Sequence, residues 1–228
     1  MQRPISAGVL TLPLLRCTCM AMTRMEKPGK IRKICVYCGS GPGVDPAFVE
    51  SAKAFGKALA ENGIGLVYGG GGDGMMGALA HATLDHSGMV TGIIPEFLTR
   101  REHALRGAQE LIVTRDMHER KRMMFEMADA FVALPGGVGT LEEIVEQMTW
   151  AQLGRHKKPI LLANISGFWE PLCALLDHMK TLEFIRGELS FDLLVADKVD
   201  DILPALQKAV EAVPEAAKKI PAGVADKL

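Results

Sequence analysis

Short apolar runs alternate with amphipathic stretches along the chain from Lys33 onward. Apolar runs of this length, bounded by turn residues, are typical of buried parallel strands, and the stretches between them have the spacing of helices that cover a sheet. Strands that alternate with helices predict a parallel sheet covered on both faces. The predicted strands are KICVYC, IGLVYG, MVTGII, ELIVTR, DAFVAL, PILLAN and FDLLVA, beginning at residues 33, 64, 89, 110, 129, 159 and 191.

Cap and turn residues delimit the first and the last predicted helices. Asp45 followed by Pro46 is typical of a helix start and Asn62-Gly63 of a helix end, so the first helix should run between them. A closing helix is predicted from Asp200 to Val213. Because no repeat or linker interrupts the alternation, we predict one α/β domain over residues 31–228: a Rossmann-like, doubly wound parallel sheet with helices on both faces.

Residues 1–30 do not share this pattern. Their apolar stretch is short and is interrupted by Arg16, and no convincing small-residue cleavage site follows. The stretch is therefore too short and broken for a transmembrane helix, and a secretory signal is disfavoured. Because Met20, Met22 and Met25 are plausible alternative starts, we expect residues 1–30 to be a disordered or misassigned extension.

Composition narrows the class of protein. The 228-residue chain is 48% hydrophobic with a formal net charge of −1, so we expect neither nucleic acid nor a membrane as a partner. The five cysteines form no regular framework, which favours a reducing compartment and a cytoplasmic location. Cys35 and Cys38 lie three positions apart on one predicted strand, so they should face opposite sides of the sheet and pack in the core rather than clamp a metal.

Three glycine-rich turns follow predicted strands: CGSGPG from Cys38, GGGGDGMMG from Gly69 and PGGVGT from Pro135. Glycine lets the backbone approach a ligand, and the start of the next helix offers free N–H groups and a positive dipole end. Because the carboxyl ends of parallel strands meet at one edge, three such turns favour an anion-binding crevice over ordinary turns. From the first two turns the candidate binding residues are Gly39, Ser40, Gly71 and Gly72.

The second turn also fits another kind of site. Gly72-x-Gly74-x-x-Gly77 has the spacing of a dinucleotide fingerprint, and Glu96 lies near the expected end of the next strand. A dinucleotide site therefore stays open, although it leaves the third turn unexplained. No Gly-Lys-Ser/Thr sequence occurs, which excludes a Walker-type nucleoside triphosphatase.

The stretch after the third turn supports two interpretations. Thr140-x-x-Glu143 has the form of a capping box, with Thr140 as the N-cap and Glu143 reaching back to its amide. On the helix that follows, an apolar stripe should face the sheet, while Glu143 and its neighbours lie opposite with Trp150, whose position suggests cover by a second subunit. A cap and a catalytic carboxylate remain equally compatible with Glu143. The stripe comprises Leu141, Ile144, Val145, Met148 and Gln152, and the opposite face Glu143, Glu146, Gln147 and Trp150.

An arginine interrupts the apolar face of the preceding helix. In DMHERKRMMFEMADA, Asp116 is a natural N-cap, and Arg120 shares one helical face with Met117, Met124 and Met127. A surface arginine would be expected off this stripe. Near a helix start that faces the crevice, Arg120 is suited to bind a phosphate or ribose hydroxyls, and the alternative is an arginine that extends to solvent from the stripe edge.

Together, PGGVGTLEE with DMHERK ahead of it, YGGGGDGMMG upstream and TWAQLGRHKKPI downstream resemble the LONELY GUY (LOG) family. Its members are cytokinin riboside 5'-monophosphate phosphoribohydrolases that have been mislabelled as lysine decarboxylases. The resemblance extends from about Lys33 to Ile185 and continues more loosely to the C-terminal helix. We identify no pyridoxal-phosphate lysine motif that would support a decarboxylase. Two segments, GGGGDGMMG and EFLTRREHA, depart from the commoner plant pattern.

The resemblance implies hydrolysis of the N-glycosidic bond of an adenine-type nucleoside 5'-monophosphate to the free base and ribose 5-phosphate, without a cofactor or metal. Arg120 and Glu143 would be the catalytic pair. It also implies a homodimer with the site near the interface. A non-catalytic nucleotide or molybdenum-cofactor carrier of the same fold is the alternative, although a carrier has no need of both Arg120 and Glu143. The residues implied to bind phosphate or line the nucleotide site are Gly136, Gly137, Val138, Gly139, Thr140, Glu102, Lys121, Glu142 and Thr149.

Overall fold

The computed structural model describes residues 30–99, 103–105, 107–185 and 192–212. Within these ranges, seven strands form one parallel sheet in the order β4-β3-β2-β1-β5-β6-β7. Every predicted strand segment overlaps one of them, and six of the seven contain theirs completely, so the predicted fold class is confirmed. The strands are β1 (Lys33–Tyr37), β2 (Gly65–Tyr68), β3 (Val90–Pro95), β4 (Glu110–Thr114), β5 (Ala130–Ala133), β6 (Ile160–Ala163) and β7 (Leu193–Ala196).

Six α-helices occur in the same described ranges. The first begins after the N-cap Asp45, whose carboxylate accepts from the Ala47 N–H at 2.9 Å, and ends at Glu61, as the sequence predicts. The last begins one residue before its predicted start at Asp200, and its predicted end at Val213 lies outside the described residues. The helices are α1 (Pro46–Glu61), α2 (Gly74–Asp85), α3 (Met117–Met127), α4 (Val138–Gln152), α5 (Glu170–Thr181) and α6 (Val199–Ala212).

Two apolar layers enclose the sheet. Residues of α1, α2 and α6 pack on one face, and residues of α3, α4 and α5 pack on the other. Cys38 belongs to the first layer and Cys35 to the second, and both are buried free thiols, which confirms that they point to opposite faces. None of the described helices is long and apolar enough to cross a bilayer. The predicted extension falls almost entirely on residues 1–29, which lie outside the description.

The strand order reverses between β1 and β5. Strands β2 to β4 extend from one side of β1, and β5 to β7 extend from the other. In open parallel sheets, ligands bind outside the carboxyl ends of the strands at such a switch point. The turns that leave β1 and β5 meet there, because the Gly39 N–H donates to the Pro135 carbonyl oxygen at 3.1 Å.

The start of α4 differs from the predicted capping box. The helix begins at Val138 with Gly137 as its N-cap, so Thr140 lies inside the first turn and cannot be the cap. Thr140 packs against Gly136 instead, where a Cβ would collide with the threonine hydroxyl. The predicted capping box was therefore wrong, because the glycine loop continues into the helix without a side-chain cap.

The predicted apolar face of α4 was also wrong. The buried residues include Thr140, Glu143 and Gln147 beside Ile144 and Met148, whereas Leu141 and Val145 are 37% and 40% exposed. Close packing of Thr140 on Gly136 holds the helix at a rotation that turns these polar residues toward the sheet. Periodicity alone could not show this rotation, because Ile144 and Met148 belong both to the predicted apolar face and to the face that is buried in the structure.

Candidate functional site

The three glycine-rich turns converge at the switch point. Besides the contact between the first and third turns, the Met76 N–H at the start of α2 donates to the Gly39 carbonyl oxygen at 3.3 Å. A Cβ on Gly136 would lie 2.8 Å from the Gly39 nitrogen, so only glycine allows this approach. The turns therefore line one crevice, as the anion-site hypothesis requires.

Helix α3 carries Arg120 into the layer beneath this crevice. Asp116 is the N-cap and its carboxylate accepts from the Glu119 N–H at 2.8 Å, as the sequence predicts. Arg120 then falls one turn into the helix on the face of Met124, and both side chains are buried. The predicted placement of Arg120 in an apolar stripe is confirmed, and its side chain does not extend to solvent.

The hydrogen bonds of the Arg120 guanidinium are incomplete. Nη2 donates to the Gly69 carbonyl oxygen at 3.4 Å, and Nη1 lies 3.8 Å from the sulfur of Met117. Nε is buried and has no hydrogen-bond partner among the described residues. A buried donor without a partner costs about 1–3 kcal/mol, and such groups are typical of functional sites. Gly69 was not among the site residues predicted from the sequence, although a glycine directly after a strand signals a close approach of another group.

Glu143 faces Arg120 across the site. Its Oε1 lies 3.7 Å from Arg120 Nη2, and both side chains are about nine-tenths buried. Charge-assisted hydrogen bonds are usually 2.7–2.9 Å long, so this ion pair is loose. Desolvation makes a loose buried pair a poor source of stability. A long ion pair of this kind allows Arg120 and Glu143 to give up part of their contact with each other when they bind a ligand.

The negative charge of Glu143 raises the pKa of residues at the end of β1. Burial is the main cause that raises the pKa of Tyr37 well above its usual range, and the charges of Cys35 and Glu143 raise it further. Burial also raises the pKa of Cys38, again with a contribution from Glu143. The carboxylate therefore lies in a poorly solvated region close to the first glycine turn. There its charge acts more strongly on a bound group than it would in water.

Two predicted site residues pair with each other. The Lys121 ammonium donates to Glu142 Oε1 at 2.6 Å and to Glu146 Oε1 at 3.0 Å. Burial alone would lower the pKa of Lys121, but these carboxylates raise it. These ion pairs connect α3 to α4. They also occupy the Lys121 ammonium, which the sequence predicts to line the nucleotide site. Thr149 is exposed, and its hydroxyl donates to the Val145 carbonyl oxygen at 2.8 Å.

The other predicted residues lie around the turns. Ser40 is exposed in the first turn, and Gly137, Val138 and Gly139 are exposed at the start of α4. Gly71 is buried and forms an isolated antiparallel bridge with Ala104. Glu102 lies outside the described residues.

The spacing that suggested a dinucleotide fingerprint has a packing explanation. A Cβ on Gly77 would collide with the Gly72 carbonyl oxygen, so these glycines let the turn pack on its own helix. Glu96 is exposed in a short 3-10 turn after β3. Within the described residues, no group of three or more His, Cys, Asp or Glu side chains is arranged to hold a metal ion.

Trp150 is partly covered from within the chain. Its ring meets Phe125 of α3 edge to face at a centroid distance of 4.9 Å, and the Arg155 guanidinium lies 4.7 Å from the ring. Contacts within the chain therefore provide part of the cover, and cover of the half-buried Trp150 by a second subunit stays a prediction.

Comparison with known proteins decides the family. The chain is 43% identical over 185 residues to the cytokinin riboside 5'-monophosphate phosphoribohydrolase LOG of Oryza sativa subsp. japonica, over 81% of this chain and 76% of that protein. It is 41% identical to the corresponding phosphoribohydrolase of Rhodococcoides fascians, over 77% of this chain and 89% of that protein. The chain belongs to the LOG family. A family model described as "Possible lysine decarboxylase" matches residues 76–206.

Solved structures share the fold of this LOG family member at lower identity. The molybdenum cofactor carrier protein from Chlamydomonas reinhardtii superposes with a TM-score of 0.61 at 20% identity, over 80% of this chain and 99% of that protein. The molybdenum cofactor binding protein from Rippkaea orientalis has a TM-score of 0.59 at 20% identity, over 79% of this chain and 98% of that one. At this identity the likeness establishes the fold alone.

Proposed function

We propose that this chain hydrolyses the N-glycosidic bond of adenine-type nucleoside 5'-monophosphates, releasing the free base and ribose 5-phosphate. The buried pair of Arg120 and Glu143 beneath converging glycine turns carries the proposal. Relatives about 40% identical over most of the chain are named for this reaction. A carrier of the same fold has no need of a loose, poorly solvated ion pair such as Arg120 and Glu143 beside its glycine-rich turns.

Glu143 is suited to stabilise the reacting sugar. Breaking the bond between C1' and the base nitrogen builds positive charge on the ribose ring, as glycoside cleavage does. A carboxylate already held in a poorly solvated site interacts strongly with that charge. It can also orient the attacking water and accept its proton.

Arg120 and the third glycine turn are suited to hold the substrate. The unfilled Nε–H and the long contacts of the guanidinium leave donors for ribose or phosphate oxygens. The exposed Gly137 to Gly139 backbone at the N-terminus of α4 offers N–H groups and a positive dipole end to the 5'-phosphate. A substrate held at both places keeps its reacting bond in line with Glu143.

The phosphate requirement provides the test of this function. Purified protein is incubated with AMP, N6-isopentenyl-AMP and the two unphosphorylated nucleosides, and the free base is measured by chromatography. We expect both monophosphates to release base at least about 100-fold faster than their nucleosides, and their ratio to identify the preferred base. Equal turnover of AMP and adenosine would contradict the phosphate site. A nucleotide that is bound but stays intact would instead support a carrier.

We propose, in addition, that the protein is a homodimer that uses the exposed face of α4. Four apolar side chains lie along this face at helical spacing, next to the start of the helix that faces the crevice: Val138, Leu141, Val145 and Leu153. An exposed apolar stripe of this kind is typical of a protein interface. Light scattering should give twice the monomer mass for the native protein and the monomer mass for Val145→Asp. A native monomer with full activity would contradict the dimer.

A further inference from the structure

An Asp–His pair at the rim of the crevice is not used by the function proposed above. His103 Nδ1 lies 2.5 Å from Asp73 Oδ2, and the two side chains are 75% and 62% exposed. The two residues come from different segments, the second glycine turn and the stretch that follows β3.

The pair contributes little to holding these segments together. Ala104 already bridges Gly71, and the Leu105 N–H donates to the Gly70 carbonyl oxygen at 3.0 Å. Exposed ion pairs contribute little to stability, because water screens their charges. Backbone contacts therefore fix the loop, and the side-chain pair is available for another purpose.

Asp73 gives up a structural role to contact His103. It occupies the N-cap position of α2, yet its carboxylate makes no capping hydrogen bond. Such a bond would satisfy a free N–H of the first turn and stabilise the helix. His103 itself has a φ of +43°, a left-handed conformation that side-chain-bearing residues adopt rarely and that clusters at functional sites. Both departures from local preference bring an imidazole and a carboxylate together.

The pair lies on the second of the three glycine turns that line the crevice. A Cβ on Gly72 would collide with the His103 carbonyl oxygen, so the segment that carries His103 packs on the same turn whose Gly69 carbonyl contacts Arg120. Gly74, which follows Asp73, presses against the Ser40 carbonyl of the first turn, where a Cβ would collide with it. The Asp–His pair thus occupies the open rim, while Arg120 and Glu143 occupy the buried floor.

We propose that His103, oriented by Asp73, donates a proton to the leaving base during cleavage of the N-glycosidic bond. Because a carboxylate only accepts hydrogen bonds, Nδ1 of His103 carries the hydrogen between the two residues. This leaves Nε2 as the nitrogen that exchanges protons with a bound molecule, as in other carboxylate-oriented histidines. Asp73 is thus a positioning residue. The inference rests on the proposed function, because it assigns a group to the departing base.

The step balances without a co-reactant. The electron pair of the C1'–N bond leaves with the base, and a base nitrogen takes the proton from His103 Nε2. Water adds to C1' of the ribose and gives a proton to Glu143. Solvent water returns a proton to His103 and removes one from Glu143. The sum is nucleoside monophosphate plus water to free base plus ribose 5-phosphate.

A substrate whose leaving group needs no proton tests the proposal. Native protein, His103→Gln and Asp73→Asn are compared on AMP and on p-nitrophenyl β-D-ribofuranoside 5-phosphate, which releases a stable phenolate. For His103→Gln we expect kcat for AMP to fall about 100-fold and kcat for the phenyl substrate to change less than about threefold. Asp73→Asn should show the same selectivity with a smaller loss. His178→Gln, which removes an exposed histidine of α5, is the matched control and should cleave both substrates normally.

Each other outcome has a distinct meaning. Equal losses on both substrates, or no loss on AMP, would overturn the role of His103 and leave the proposed hydrolysis intact. Native protein that cleaves neither substrate would overturn the proposed function and this inference with it. Melting temperatures of the variants separate either outcome from misfolding.

Discussion

Helices α3 and α4 meet in two places that differ in chemistry. Near their N-terminal ends, Arg120 faces Glu143 across 3.7 Å, and the Arg120 Nε has no partner among the described residues. Toward their C-terminal ends, Phe125 meets Trp150 edge to face, and the Lys158 ammonium caps the helix by donating to the Phe125 carbonyl oxygen at 2.6 Å. We call the first the charged contact and the second the aromatic contact. The charged contact is loose, whereas the aromatic contact is close and its carbonyl group is hydrogen-bonded.

The difference separates function from stability along one helix pair. Aromatic rings that pack edge to face or stacked contribute about 0.5–1.5 kcal/mol beyond the area they bury. A buried ion pair with long contacts contributes little, because desolvation offsets its attraction. The aromatic contact therefore holds the helices in place, and the charged contact is kept for chemistry. Loss of the charged contact should remove most of the turnover, whereas loss of the aromatic contact should lower stability and leave turnover per folded molecule nearly unchanged.

The largest effect is expected at Arg120. Arg120→Ala removes the guanidinium that holds the sugar-phosphate, so we expect kcat/KM for AMP to fall at least about 100-fold. Stability should also fall, by about 3–5 kcal/mol, because the Glu143 carboxylate stays buried without its cation, so kcat/KM is compared per folded molecule. Arg122→Ala, on the exposed side of the same helix, is the control and should keep normal activity. Normal activity in both variants would exclude Arg120 from the reaction.

A loss of stability without a loss of turnover is expected at Phe125. Phe125→Ala removes ring contacts with Phe131, Trp150 and His156, so the free energy of unfolding should fall by about 2 kcal/mol, less than for a fully buried ring. Turnover per folded molecule should stay within about threefold. Phe184→Ala, at a 79% exposed ring, should change stability by less than about 0.5 kcal/mol. Urea unfolding measures both values, and equal effects would contradict the role of the aromatic contact.

A smaller, pH-dependent effect is expected at His156. Its Nε2–H donates to the Gln147 carbonyl oxygen at 3.2 Å and its Nδ1 accepts from the Lys158 N–H at 3.2 Å, so the neutral ring is fully satisfied. Burial, with the nearby positive charges of Lys158 and Arg155, lowers the pKa of His156 from 6.5 to about 4. As pH falls, the unfolded chain therefore takes up the proton first. Stability that is present above pH 6.5 is lost progressively toward pH 4.

Urea unfolding at two pH values measures this effect. Between about pH 7 and pH 5, the native protein should lose about 1–2 kcal/mol more than His156→Gln, in which the group does not titrate. Groups that titrate in both proteins cancel in the comparison. An identical pH dependence in the two proteins would show that His156 does not stay neutral in the folded state.

The sequence predicted α3 better than α4 for a physical reason. On α3, the N-cap Asp116 and the apolar neighbours of Arg120 are local signals, and the structure agrees with both. On α4, the rotation depends on contact between Thr140 and Gly136 and on the position of Arg120, which belongs to another element. Leu141 and Val145 have the residue type of a core face and yet are exposed. Strand positions were predictable because buried parallel strands are short apolar runs. The pairing of Lys121 with Glu142 and Glu146 was not, because it depends on how α3 packs on α4.

The central claim is that Glu143 is buried for chemistry and not for stability. Glu143→Gln keeps the size of the side chain and removes its negative charge, and Glu126→Gln makes the same change at an exposed position of α3. The decisive measurement is kcat for AMP beside the melting temperature of each variant. We predict that Glu143→Gln melts within a few degrees of the native protein and loses at least about 100-fold in kcat, whereas Glu126→Gln keeps both. Full activity in Glu143→Gln, or a loss of activity that follows a loss of folding, would contradict the claim.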